Sequence, residues 1–216
     1  MKRKTASFVG TRPIFTGSPS IVMGGFNLDV TGQKFRVGDV IPAGTPAIRN
    51  EETRLVQVIK TAKVVEVDAE NSKLVTLYVD EFYAPCFAEG EFVGIAGATA
   101  VAISSAPTIT AIEEKGNIYR ITLSAAITGL KAGDVLMEFV SDGDTTTPKT
   151  KERGLSNSVT IKDVVVSEFE TAIDVTADTM QYALYERRVA PIPDSQKDDT
   201  GAFLKANPHV KLTKSL

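Results

Sequence analysis

The chain has 216 residues, a net charge of −3 and a sequence pI near 5.3, and 43% of its residues are hydrophobic. This balance argues against a nucleic-acid-binding protein that works through a general basic surface. The only cysteine, Cys86, cannot form an internal disulfide, so the fold does not depend on an oxidising compartment. No stretch approaches the ~20 apolar residues that span a bilayer, and we therefore expect no membrane partner.

The N-terminal segment, residues 1–34, is rich in Gly, Pro, Thr and Ser and has little periodic pattern, which favours an extended arm. Before Asp29 its only charged residues are cations, and they are not followed by the apolar run of a signal peptide. We expect a protein made in the cytoplasm whose arm docks on an acidic partner surface; a frayed terminus is the alternative. The predicted contact residues are Lys2, Arg3, Lys4, Arg12, Phe15 and Phe26.

A β module occurs twice between residues 58 and 143. Each copy has an apolar strand, a polar turn, a second strand and a Gly-acid turn that leads into another apolar run. We expect the glycine of the Gly-acid turn to have a positive φ and the acid to cap free backbone N–H groups. The polar turns are Asp68–Lys73 and Glu113–Asn117; the Gly-acid pairs are Gly90-Glu91 and Gly133-Asp134, with a third, Gly38-Asp39, upstream.

Short strands without intervening helical patterns predict a mainly β fold: a β-sandwich or β-barrel of short antiparallel strands, with at most one short helix and extended N- and C-terminal arms. The expected β-rich body is residues 35–193, which could divide into subdomains at 35–140 and 154–193. Residues 194–216 have the composition of a polar C-terminal tail.

Two segments of the body are harder to interpret from sequence. Ser141–Ser158 is polar throughout, which predicts a long exposed loop. The best helix candidate is Ala177–Arg188, because it places apolar side chains on one face. A strand through Met180–Tyr185 is the rival interpretation.

Residues suited to catalysis or cofactor binding are few. The only histidine, His209, falls in the expected tail, and apolar neighbours make Cys86 a small core residue. One Cys and one His cannot complete a structural zinc site. The acids of Asp142-Gly143-Asp144 could hold a hard cation, although a solvated turn fits them better. No phosphate-binding glycine motif occurs. We therefore expect no enzyme activity, no cofactor and no metal.

The segment Val37-Gly38-Asp39-Val40-Ile41-Pro42-Ala43-Gly44-Thr45-Pro46 resembles a segment near the start of tailed-bacteriophage head-fibre and head-decoration proteins. The stretch from Gly154-Leu155 through Lys162–Val165 to Ala183–Pro193 is similar to their closing region. The resemblance implies a virion protein on the capsid surface that binds the major capsid protein. Other head proteins and further copies of itself, as a trimer by analogy, are the other implied partners.

Two other functions stay open at this stage. A carbohydrate- or surface-binding β module of a phage fibre or adhesin would bind sugars on exposed aromatic residues, yet the chain has no Trp and only 5 Tyr. A small hydrolase would need two carboxylates about 5–10 Å apart across a cleft, and sequence does not show such a distance.

Overall fold

The computed structural model describes residues 13–20, 25–80, 82–176 and 182–215. These residues fold mainly into short strands in several sheets, and most strand pairs are antiparallel. The described helices are single 3₁₀ turns at Ile103–Ser105, Glu186–Arg188 and Asp194–Gln196. The predicted mainly β fold of the sandwich or barrel type is thus confirmed. No helix among the described residues is long and apolar enough to cross a membrane.

The strands are numbered in chain order. The first four are β1 (Phe26–Leu28), β2 (Val40–Ile41), β3 (Pro46–Asn50) and β4 (Leu55–Val58). The next six are β5 (Thr61–Val67), β6 (Leu74–Leu77), β7 (Phe92–Ile95), β8 (Ile109–Lys115), β9 (Ile118–Leu123) and β10 (Val135–Ser141). The others are β11 (Thr150–Glu152), β12 (Ser158–Val159), β13 (Val164–Val165), β14 (Ala172–Ile173), β15 (Leu184–Tyr185), β16 (Phe203–Leu204) and β17 (Asn207–Thr213).

The two copies of the β module combine into one barrel, β5–β10. The hairpins β5–β6 and β8–β9 join through β6 and β9, and β10 pairs with both β5 and β7. A bridge between Phe92 and Thr108 brings β7 to the start of β8, which closes the ring. Its buried interior is mostly aliphatic: Ala62, Val64, Val75, Leu77, Phe87, Val93, Ile109, Tyr119, Ile121, Leu123 and Leu136.

A second, five-stranded sheet has the order β12-β3-β4-β1-β14, and a bridge between Thr160 and Val175 joins its two outer strands. The strand pair β2–β13 contributes Ile41 and Val164 to the core of this sheet. Its strands come from residues 26–58 and 158–173, on either side of the barrel in sequence. The sheets therefore do not follow the expected division into 35–140 and 154–193.

The third sheet, β15-β17-β16, corrects two expectations about the C-terminal region. Residues 194–216 are not a polar tail, because β16 and β17 bury Leu204, Val210 and Leu212 in a third core. The helix predicted at Ala177–Arg188 is also wrong where the structure describes it: β15 pairs in parallel with β17 and a 3₁₀ turn follows. Residues 177–181 lie outside the described part. Here strand pairing outweighs the helical periodicity of the sequence.

The expected exposed loop Ser141–Ser158 is present in part: residues 142–149 are a largely exposed connection, whereas β11 (Thr150–Glu152) pairs with β10. In that connection the Asp142 carboxylate accepts the backbone N–H groups of Asp144 and Lys149 at 3.1 Å each. Polar composition reflects a hydrogen-bonded turn here, because Asp side chains commonly bond nearby backbone N–H groups.

The Gly-acid turns have the predicted geometry. Gly38, Gly90 and Gly133 have φ values of 91°, 79° and 94°. In each turn the acid accepts the backbone N–H three residues before it: Asp39 from Arg36 at 2.7 Å, Glu91 from Ala88 at 2.8 Å, and Asp134 from Lys131 at 2.9 Å. Glycine permits the left-handed backbone, and the carboxylate satisfies a donor that no strand partner reaches.

We predict that Gly133→Val lowers the free energy of unfolding by about 1–2 kcal/mol, because a β-branched residue is strained at this positive φ. A Cβ at residue 133 would meet no atom within 4 Å, so steric clash does not contribute. Urea denaturation measures the loss. Gly133→Asn, which tolerates left-handed backbone, is the matched control and should lose less. Equal losses for the two variants would contradict the backbone explanation.

Candidate functional site

The predicted contact residues do not form one exposed surface. Phe15 packs in the third core, where it bridges to Leu184, and Phe26 lies in the core of the five-stranded sheet. Both side chains are buried and cannot dock on a partner while the protein is folded. This corrects the expectation that both belong to a docking arm. The cations Lys2, Arg3, Lys4 and Arg12 lie outside the described residues.

A buried ion pair lies where the barrel meets the segment before β2. Lys60 is 0% exposed, and its Nζ lies 2.5 Å from Oε1 of Glu91. The ammonium also donates to the Lys34 carbonyl oxygen and stands 3.9 Å from the centroid of the Phe35 ring. The other Glu91 oxygen accepts the Ala88 N–H. Every buried charge here has a partner, as burial in a low-dielectric interior requires.

A second buried pair extends this contact. The Glu138 carboxylate on β10 lies 2.5 Å from the Arg153 guanidinium, and it accepts a hydrogen bond from the Gln33 side chain at 3.2 Å. The Gln33 side-chain amide also donates a hydrogen bond to the carbonyl oxygen of Val58 and accepts one from the Val58 N–H. It thus replaces a neighbouring strand at the end of β4. These bonds join the barrel to the five-stranded sheet. Sequence patterns did not identify this cluster, because its members are far apart in the chain.

Burial, with a smaller contribution from the nearby Glu138, raises the pKa of Glu91 to about 7, although the Lys60 ammonium lowers it. A raised pKa can mark a catalytic acid. Here both carboxylate oxygens are engaged by Lys60 and Ala88, so the group is built into the structure. Such an arrangement favours a stabilising role.

The other residues that the sequence suggested as chemical groups are Cys86, His209 and Asp144. Cys86 is buried, and burial raises the pKa of its thiol to about 12, which suppresses the reactive thiolate. His209 lies on β17 with its side chain exposed. Asp144 accepts N–H bonds from Thr146 and Thr147, and these bonds lower its pKa. Among the described residues, no group of three or more His, Cys, Asp or Glu could hold a metal ion.

Four exposed hydrophobic side chains stand out on or beside β1, the β2–β13 pair and β14. Val30, Val37, Val165 and Phe169 are the large hydrophobic residues of the described chain that are more than half exposed, and Phe169 reaches 88%. Backbone bonds bring them together in two pairs. Gly38 donates to Val166, which brings Val37 near Val165, and Leu28 donates to Thr171, which brings Val30 near Phe169. We call the four residues the apolar end.

The turn that presents Phe169 is well ordered by hydrogen bonds. The Ser167 hydroxyl donates to the Glu170 carbonyl oxygen at 2.8 Å, and the Ser167 N–H donates to the Thr171 hydroxyl at 3.0 Å. Glu168 and Glu170 flank the phenylalanine, and neither forms an ion pair with another described residue. The apolar end therefore has an acidic edge. In the sequence, Phe169 stands between two acids, and sequence patterns did not identify this segment as an exposed surface.

A cleft of about 400 Å³ with a mixed polar and apolar lining includes Val37 of this end and lies between residues 36–42 and 82–87. Val37 belongs to both surfaces. Side chains that give the cleft its apolar character are Val37, Val40, Pro42, Phe82, Pro85 and Ile112. The charged groups along it are the Arg36 guanidinium and the carboxylates of Asp39, Glu114 and Asp163. With three carboxylates to one cation, we call it the acidic cleft.

No protein-family model matches the chain, and no curated protein or solved structure matches it. Its function therefore has to be inferred from its own surfaces. The described residues offer buried ion pairs that hold the fold together, and an exposed apolar end beside an acidic cleft. Large apolar side chains left exposed near one another are typical of a contact with another macromolecule.

We predict that Lys60→Met lowers the free energy of unfolding by about 3–5 kcal/mol at pH 8, because it leaves the Glu91 charge buried without a partner. The double variant Lys60→Met with Glu91→Gln should regain much of this loss, since the amide carries no charge and still accepts a bond. Chemical denaturation of the three proteins measures it. Additive losses in the double variant would contradict coupling between the two side chains.

The raised pKa of Glu91 predicts a pH dependence of stability. Between about pH 4.5 and 7 the folded state holds a proton on Glu91 that the unfolded state releases, so this group makes the free energy of unfolding fall as pH rises. Glu91→Gln should flatten the profile in this window. The exposed neighbour provides a control, Glu89→Gln, which should leave the slope unchanged. Denaturation midpoints measured across the window would test this.

Proposed function

We propose that the protein is a structural virion protein that binds the capsid shell of a tailed bacteriophage. It would decorate or cement the shell as an auxiliary protein, or form the base of a head fibre. It would be made in the host cytoplasm and reside on the capsid surface. Its main partner would be the major capsid protein, with other head proteins and copies of itself as further partners.

The observation that carries the proposal is the apolar end. A phenylalanine that is 88% exposed gains little in the isolated protein, but it can fill a pocket on a partner and contribute a large share of the binding energy. The valines around it, Val30, Val37 and Val165, would keep water away from such an anchor. Because Glu168 and Glu170 flank it, the best-matched partner pocket is apolar with a rim of Lys or Arg.

The use of charged groups within the fold also favours binding over catalysis. Lys60, Glu91, Glu138 and Arg153 pair with one another at the junction of the barrel and the five-stranded sheet. Asp144 holds a backbone turn, and Cys86 is buried away from solvent. These groups would have to leave structural roles before they could act on a substrate. We therefore propose that the protein is not an enzyme.

The segment that resembles head-decoration proteins occupies a suggestive position. Val37–Pro46 contains one residue of the apolar end, builds β2 and forms the turn into β3. In this chain it therefore contributes both to the proposed docking surface and to the strands next to it. A segment that resembles head-decoration proteins and also forms part of an exposed surface is consistent with the proposed capsid-binding role.

We predict that Phe169→Ser weakens binding to phage heads that lack the protein by about 30-fold, the equivalent of losing an interface anchor worth 2 kcal/mol. Co-sedimentation of purified protein with such heads measures the saturation curve. Ile118→Ser is the matched control, because Ile118 is an exposed hydrophobic residue on the β8–β9 hairpin. Its binding curve should match that of the unmodified protein.

Two outcomes would contradict the proposal. If the unmodified protein does not sediment with heads, the capsid-binding role is wrong. In that case binding to immobilised glycans would favour the alternative of a carbohydrate- or surface-binding β module of a fibre or adhesin. If the protein binds heads but Phe169→Ser and Ile118→Ser behave alike, the shell is contacted by another surface.

A further inference from the structure

We propose that the acidic cleft binds a neutral carbohydrate. Its lining combines aromatic and aliphatic side chains with polar groups, which include three carboxylates and one guanidinium. Sugars match such a lining because a pyranose ring has both an apolar C–H face and a rim of hydroxyl groups. Phe169, the anchor of the proposed capsid contact, does not line the cleft. The inference therefore goes beyond the capsid-binding function and does not depend on it.

One wall of the cleft carries aromatic side chains on a turn that hydrogen bonds hold in place. Residues 82–87 lie between β6 and β7 and belong to no strand. The Asp80 carboxylate accepts the backbone N–H groups of Phe82 at 2.7 Å and Tyr83 at 3.0 Å, and the Tyr83 carbonyl oxygen accepts the Asp80 N–H at 3.2 Å. Phe82 lines the cleft and is only partly buried. It can therefore offer aromatic surface to the C–H side of a sugar.

The Tyr83 hydroxyl is available to a ligand. Tyr83 is 7% exposed and lines the cleft, yet its hydroxyl forms no hydrogen bond with another described residue. By contrast, the hydroxyl of Tyr119, another lining residue, donates to the Phe87 carbonyl oxygen at 3.3 Å. Burial, with a smaller contribution from Asp80, raises the pKa of Tyr83 above its usual range, so the group stays protonated at neutral pH. It can then both donate to and accept from a sugar hydroxyl.

The charged groups of the cleft favour a neutral ligand that carries hydroxyl groups. The Arg36 guanidinium lies 3.3 Å from the Asp39 carboxylate and 3.4 Å from that of Glu114, while one oxygen of the exposed Asp163 accepts the Ala43 N–H at 2.8 Å. An anion would meet three carboxylates. A cation would gain little from two of them, because Arg36 already pairs with both. Hydroxyl groups can donate to the carboxylates and accept from the guanidinium, and such charge-assisted hydrogen bonds are the stronger kind.

The walls of the cleft are held by the fold itself. The Arg36 N–H donates to Asp39 in the Gly-acid turn, and β2, which follows, pairs with β13. The β8–β9 hairpin provides Glu114 and Tyr119. A volume of about 400 Å³ is within the size range of sites that enclose small ligands, and a preformed site loses little conformational freedom on binding. Size, lining and charge therefore favour a short saccharide together.

Binding is tested with the full chain on an array of immobilised oligosaccharides, neutral and charged, in the absence of phage heads. We expect at least one neutral glycan to bind and the same saccharide in solution to compete with it. Added salt should change this binding little, because the ligand carries no charge. If no glycan binds, or if only charged glycans bind, the proposal is overturned. Because heads are absent, neither result bears on the test of capsid binding.

Removal of one hydroxyl tests the location. Tyr83→Phe should weaken binding of the neutral glycan about tenfold, the effect of one lost hydrogen bond. Tyr182→Phe is the matched control, because Tyr182 is exposed and does not line the cleft. Its affinity should equal that of the unmodified protein. If the two variants bind alike, the assignment of the sugar to this cleft is overturned.

A second pair of variants tests the carboxylates. Glu114→Ala removes a carboxylate of the cleft and should weaken binding several-fold. Glu113→Ala makes the same change at the adjacent position of β8, which does not line the cleft, and should leave binding unchanged. Each glutamate pairs with an arginine at the surface, Glu114 with Arg36 and Glu113 with Arg120, so the two changes are matched. Equal effects of the two substitutions would contradict binding in this cleft.

Discussion

The fold depends on a contact between two buried ion pairs and one glutamine. Lys60 with Glu91 and Glu138 with Arg153 neutralise one another inside the protein, and Gln33 joins β10 to the end of β4. Isolated charges at these depths would be costly, so removing one partner of either pair is expected to destabilise the junction of the barrel and the five-stranded sheet. A buried network of this kind also specifies one arrangement of the two sheets, because a shifted arrangement would leave a charge without its partner.

This contact separates the part of the molecule that provides stability from the part that is free to bind. The barrel interior is filled mostly by aliphatic side chains, and two buried ion pairs lie at its junction with the second sheet. Phe169 and three valines remain exposed, and Glu168 and Glu170, which flank Phe169, form no ion pair with another described residue. A stable body that carries an exposed apolar surface is typical of a protein that binds another protein, and for this reason we propose a role on a capsid shell.

Much of the fold could be predicted from local sequence. The hairpins of the two modules and the Gly-acid turns at Gly38, Gly90 and Gly133 depend on residues close together in the chain, and the structure confirms them. Expectations failed where distant strands decide the outcome. Residues 194–216 look polar, yet Val210 and Leu212 are enough to bury one face of β17. Phe15 and Phe26 look available in a segment without pattern, yet Phe15 is buried among residues from Val159 onward, and Phe26 pairs with Ile173 in a core that joins both ends of the chain.

The sequence by itself determined the class of fold, because alternating apolar residues and glycine turns act over a few residues. It also determined that the chain has one His and one Cys, because composition alone fixes these counts. Only the tertiary structure decided which side chains remain exposed. Val164 and Val165 are equally apolar, but one is buried against the second sheet and the other faces water. The same holds for Glu91 and Glu168, one sealed against Lys60 and the other left at the edge of the apolar end. Burial is set by strand pairing across the whole chain, and local sequence does not contain it.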